Sequence, residues 1–123
     1  MKKQETKSSI IFRHWFKVHS KEFKSCSFEM KDTRGKNTFT LKELKEEQIN
    51  HALANKSDRG NLTRVASGTV GSGDYHFYRN ADAYVVIKYP LGFVVVDIDK
   101  FLNEKKGINW QRAKEIATHI IDL

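Results

Sequence analysis

One proline and one cysteine occur in 123 residues, and each scarcity excludes something. With proline only at Pro90, the chain has no proline-rich linker, and long disordered connections are not expected. Cys26 has no partner for an intrachain disulfide, and a lone thiolate cannot build a zinc cluster; His14 and His19 are too few and too poorly spaced to replace it. Long apolar stretches are missing as well: runs such as Phe93-Val94-Val95-Val96 have strand length, far below the ~20 residues that span a bilayer. The start, Met1-Lys2-Lys3-Gln4-Glu5, is basic but has no apolar signal core. A cytoplasmic protein in a reducing compartment, with no membrane partner, is therefore expected.

What is present fits one soluble domain. A chain of this length supports a single core, and 39% hydrophobic with 30% charged residues is an ordinary globular balance. Lysine and arginine outnumber acids 22 to 15, giving a net charge of +7. Such an excess attracts polyanions without regard to sequence, whether DNA or RNA. It is spread along the chain without a dense basic block, so it also fits a solubility feature with no target.

The run Ser25-Cys26-Ser27-Phe28-Glu29-Met30-Lys31 alternates with the period of a strand. Cys26, Phe28 and Met30 fall on a core face, with Cys26 read as a small core residue, while Ser27, Glu29 and Lys31 fall on the other. An acid and an amine side by side on a rigid strand can hold a hard divalent cation and meet a phosphate. The same spacing describes an exposed strand face with a cross-charge pair. After a polar turn over 32 to 37, Thr40-Leu41-Lys42-Glu43 has the capping-box pattern and predicts a helix over 41 to 56. Its rows bring together Leu41, Leu44, Gln48 and Ala52, so the amide of Gln48 interrupts an apolar stripe and needs a partner.

Elsewhere, Ile11, Trp15 and Val18 with Phe12 and Phe16 predict a first helix over 9 to 19, after a polar segment 1 to 7 expected to fray. Trp15 reads as a core anchor, with Arg13 and Lys17 on the polar face. Leu62 to Val65 reads as a short strand. The glycine-rich and hydroxyl-rich run Ala66 to Gly73 reads as a mobile loop, but has no Gly-Lys-Ser/Thr ending to make a nucleotide-binding P-loop. In extended form the next residues place Asp74, His76 and Tyr78 on one face and Tyr75 and Phe77 on the other. Ala83 to Tyr89 and Phe93 to Ile98 read as an antiparallel hairpin about Pro90-Leu91-Gly92, apolar enough to be central in a sheet. Asp97 and Asp99 could bind a metal, but Asp99 is better read as the cap of the turn Lys100-Phe101-Leu102. Asn109 is expected to cap a last helix over 109 to 121, striped by Ala113, Ile116, Ala117, Ile120 and Ile121. These elements make an α/β domain: a mixed central sheet of about five strands carrying Glu29, Lys31 and Asp74, flanked by helices.

The order of a Glu-x-Lys strand and then a helix with an inward glutamine resembles the core of the PD-(D/E)XK nuclease superfamily. It is similar in particular to the small Holliday-junction resolvase-like proteins of phages and archaea. The wider run Phe12-Arg13-His14-Trp15, Phe28-Glu29-Met30-Lys31, Glu47-Gln48, Tyr84 to Tyr89 and Ala113 to Ala117 looks like the phage-encoded members and extends the likeness over most of the chain. The resemblance implies a restriction-endonuclease-like fold and Mg²⁺- or Mn²⁺-dependent hydrolysis of DNA, at branched structures, by a homodimer. Glu29 would be a metal ligand, Lys31 would neutralise charge at phosphorus or orient the nucleophile, and Gln48 would position the water or hold Lys31 through its carbonyl. Arg13, Lys17, Arg34, Lys36 and Lys88 are the candidate DNA contacts. Family members supply a metal-binding aspartate on a strand before the Glu-x-Lys strand, whereas here no Asp precedes Asp32. Asp74 is the candidate replacement and Glu22 the fallback. Two other functions remain open: a nucleic-acid-binding module that kept the scaffold but lost cleavage, and a phage protein-interaction domain.

Overall fold

The computed structural model describes residues 2 to 66 and 73 to 122, with side chains described for 7 to 62 and 75 to 122. A four-stranded mixed sheet organises the chain, in the order β1 (Cys26–Asp32), β5 (Asp82–Tyr89), β6 (Gly92–Asp97), β8 (His119–Asp122). β1 runs parallel to β5, with Cys26 opposite Asp82 and Lys31 opposite Ile87; β5–β6 and β6–β8 are antiparallel. The β5–β6 hairpin is central as its apolar pattern predicts, because both of its faces are covered. Val85, Ile87, Val94 and Val96 point into one buried cluster and Val86, Phe93 and Val95 into the other.

One face is roofed by α1 (Lys2–His19), whose Phe12 packs with Phe28, Met30, Tyr84 and Ile121. This helix begins earlier than the expected residue 9. The other face is covered by α2 (Glu46–Lys56), α3 (Ile98–Leu102) and α4 (Trp110–Ile116). There Leu44, Phe101, Trp110 and Ile116 join the larger cluster, together with Phe39 of β2 (Thr38–Thr40) and Ile108 of β7 (Gly107–Asn109), which pair as a separate ribbon. The buried Tyr89 hydroxyl donates to the Ile108 carbonyl at 2.6 Å and ties that ribbon to the sheet. Burial pushes this phenol well above its usual range. Among the described residues no helix is long and apolar enough to cross a membrane.

Four expectations are corrected. The central sheet has four strands rather than five, because β3 (Asn61–Ala66) and β4 (Gly73–Tyr78) pair with each other as a second separate ribbon. Asp74 therefore belongs to a different sheet from Glu29 and Lys31. The helix expected from residue 41 starts at Glu46: the Thr40–Glu43 capping box closes only a 3-10 turn, Leu41–Glu43, with the Thr40 N–H donating to Glu43 Oε2. The cap before α3 is Asp97, which accepts from the Asp99 N–H at 2.9 Å, while Asp99 itself pairs with Lys56. Finally, the helix expected over 109 to 121 stops at Ile116. Thr118 turns its N–H and its hydroxyl onto the Val95 carbonyl, and His119–Asp122 continues as β8 along the edge of β6. The run Ala66 to Gly73, expected to be a loop, lies outside the described residues from 67 to 72.

Candidate functional site

The period-two reading of β1 holds for Phe28, Met30 and Ser27, but Cys26, expected as a small core residue, is only half-buried and stands at the cleft margin, because β1 is an edge strand. Phe28 and Met30 face α1, while Ser27 meets the buried Asn55 of α2 on the opposite face. Between β1 and α2 lies a cleft of about 490 Å³ whose wall includes Ser27, Glu29, Gln48, His51, Asn55 and Tyr78. Glu29 and Gln48, expected to cooperate, thus line one cleft. Lys31 follows Glu29 by two residues on the same strand face and is half-buried.

Gln48 carries a structural duty there: its Oε1 accepts the Lys45 N–H at 3.0 Å, which caps α2. One lone pair of that carbonyl thus serves the cap, in addition to the part expected of Gln48 in the cleft.

A polar chain forms the rest of the α2 side. Asn55 Nδ2 donates to Ser27 Oγ at 3.0 Å, Asn61 Nδ2 donates to Asn55 Oδ1 at 2.9 Å, and Asn61 also donates to His51 Nδ1 at 3.1 Å. With Nδ1 accepting, a neutral His51 carries its proton on Nε2. His51 and Asn55 were not anticipated, although their positions three and seven residues after Gln48 put all three on one helical row. The thiol of Cys26, at the cleft margin, is pushed up to about 11 by burial and by Asp82. The Tyr84 phenol is pushed up to about 12 by the same two causes. Both stay protonated at neutral pH, which keeps the Cys26 thiolate scarce there.

The other expected residues are dispersed. The Asp74 backbone pairs with Val65, four residues from the cleft-lining Tyr78. At ~3.3 Å per strand residue that is about 13 Å along β4. Its side chain lies outside the described residues. Glu22, the fallback acid, is held elsewhere, between His19 Nδ1 at 2.5 Å and His119 Nε2 at 3.2 Å. The hydrogen bond from His19 holds its carboxyl below the usual range. Asp97 and Asp99 are joined by Lys56 at 3.2 and 2.5 Å, which makes this acidic pair a structural clamp between α2 and the β6–α3 junction. Burial works to lower the Lys56 pKa, but its hydrogen bonds to Asp99 and Asp97 outweigh that and raise it.

Arg13 and Lys17 lie on α1, across the sheet from the cleft, and Arg13 borders a separate apolar groove with Phe12, Phe16 and Met30. Arg34 and Lys36 are exposed in the turn just past β1, where Arg34 adopts a positive φ of 57°. Lys88 Nζ is turned onto the Tyr89 carbonyl at 2.8 Å. Among the described residues no group of three His, Cys, Asp or Glu side chains is arranged to hold a metal. No protein-family model, curated protein or solved structure matches the chain significantly.

Proposed function

We propose that the protein is a metal-dependent DNA endonuclease that hydrolyses phosphodiesters at branched DNA, acting in the cytoplasm as a homodimer. The observation that carries this reading is the shared cleft: a strand carboxylate, Glu29, and a helix amide, Gln48, line one hollow open to solvent, together with apolar residues such as Phe28 and Ala52. The net charge of +7 supports a polyanionic substrate.

The donor set fits Mg²⁺ or Mn²⁺ in one respect. Magnesium keeps several waters and is commonly held by one or two carboxylates plus substrate phosphate, and Glu29 supplies one such carboxylate in a cleft with room for them. When bound, the ion lowers the pKa of a coordinated water. The chain's own groups do the rest: Lys31 places an ammonium beside the phosphate to offset charge on its oxygens, and the Gln48 NH₂ orients a water or a phosphate oxygen. His51, through Nε2–H, supplies a further donor at the α2 wall.

Incubation with labelled four-way junction and linear duplex, in Mg²⁺, Mn²⁺ or chelator, tests the reading. Metal-dependent cutting of the junction is the expected result. Chelator-insensitive binding without cutting would replace it with a non-catalytic nucleic-acid-binding module, and absence of both with a protein-interaction domain. Lys31→Ala is expected to abolish cutting while sparing most junction binding; normal cutting by this variant would remove Lys31 from the site.

A further inference from the structure

A second hollow of about 280 Å³ adjoins the cleft and is lined by Ser25, Cys26, Phe77, Tyr78, Arg79 and Ala81. We propose that it is a subsite for one unpaired nucleotide of the DNA strand, with the base against Phe77 and the phosphate against Arg79. This inference rests on the nuclease reading above.

Continuity is the first argument: Cys26 and Tyr78 belong to the walls of both hollows, so a strand laid along the cleft passes from one into the other. The second is the presentation of Phe77. Its ring is 60% exposed, an unusual state for a large apolar side chain, and it lies against Gly60. A Cβ at Gly60 would lie 2.5 Å from the ring, and the backbone there has φ +85°, so only glycine permits this approach. An exposed aromatic ring offers a stacking platform, and stacking tolerates any base because every base has a π face.

Charge is the third argument. Arg79 is exposed and, among the described residues, forms no ion pair, which leaves its planar fork for a phosphate. The floor offers no opposing charge: Ala81 is buried and Cys26 carries a neutral thiol. Asp82, the acid that acts on the Cys26 thiol, is paired with Lys24 at 3.6 Å. Branched DNA supplies the occupant, since a base already unpaired at the branch point is the least costly to place in such a site.

The experiment compares, in chelator, binding of a single-stranded 12-mer with bases and an abasic 12-mer of equal charge. Wild-type protein is expected to prefer the base-bearing strand by roughly 10-fold, within the range for one stacked base. Phe77→Ala should erase that preference while leaving abasic affinity unchanged; Phe77→Trp should retain it, and Arg79→Ala should weaken both strands alike. Iodoacetamide labelling of Cys26 at pH 9 should be slowed by the base-bearing strand and not by the abasic one. Equal wild-type affinities, or a preference that survives Phe77→Ala, would overturn the subsite. If four-way junction is nonetheless cut in Mn²⁺, only the subsite fails; if neither oligonucleotide binds and no junction is cut, the nuclease reading fails with it.

Discussion

Asn55 sits 6% exposed with both ends of its amide in use, donating to Ser27 and accepting from Asn61. Truncation to alanine would leave Ser27 Oγ and the Asn61 amide short of partners beside the cleft. Because an unsatisfied buried polar group costs about 1–3 kcal/mol, Asn55→Ala is expected to lower stability by that amount in urea unfolding. Titration of single groups gives a second prediction. Cys26 moves from its ordinary 9.0 up to about 11, and Tyr84 from 10.0 up to about 12, each because the folded state disfavours the anion. A folded pKa above the unfolded one means that the stabilisation is complete below the unfolded value and disappears as pH rises through the folded one. Unfolding midpoints should therefore hold up to about pH 9 and fall between pH 9 and 12, first from Cys26 and then from Tyr84. Cys26→Ala should remove the earlier part of that fall. At this scale the sequence was informative about Glu29 and Gln48, whose facing follows from local periodicity. It was silent on Asn61, Phe77 and Arg79, which reach the site only because an independent ribbon docks beside it.

Between elements, the segment after α4 shows where local pattern ceases to decide. Ile116, Ala117, Ile120 and Ile121 satisfy a helical stripe, and nothing in their spacing forbids it. The open edge of β6 decides the matter instead, offering backbone partners that a continued helix would leave unpaired. In the strand, neighbouring isoleucines take opposite faces: Ile121 packs in the cluster beneath α1, whereas Ile120 is 45% exposed. Ile121→Lys should thus lower the thermal midpoint by several degrees and Ile120→Lys leave it within about a degree, where a helix would have been damaged by both. The β5–β6 hairpin was legible for the opposite reason, since strands covered on both sides must be apolar throughout. The start of α2 was not, because two successive capping boxes both form, the first closing only the 3-10 turn Leu41–Glu43 and the second opening the helix, and their pattern in sequence does not tell them apart.

For the whole molecule, the candidate DNA-binding cations stand in two places, on α1 and in the turn that follows β1. Arg34 and Lys36 flank the C-terminal end of β1, the strand of Glu29, whereas Arg13 and Lys17 stand on the α1 layer behind the sheet. Each phosphate contact adds ~0.9 to the slope of log affinity against log salt. A DNA lying over the cleft predicts that Arg34→Ala with Lys36→Ala reduces this slope by about 2, and that Arg13→Ala with Lys17→Ala leaves it unchanged. Salt titrations of junction binding by fluorescence anisotropy measure both. The charge total was readable from composition; which cations stand near the Glu29 strand was not, because that follows from how the chain packs α1 and the β1 turn about the sheet.

The crossover that carries the chain from β1 through α2 and the β3–β4 ribbon to β5 governs the order in which the molecule can be made. Cys26 and the rest of β1 find their hydrogen-bonded neighbours only when the stretch from Asp82 onward exists, and that stretch is itself stabilised by residues up to Asp122. A ribosome therefore releases the Glu29 strand and its facing helix long before anything can pin them together. A chain interrupted before β6 would hold every residue that lines the cleft without the completed sheet on which that cleft is built.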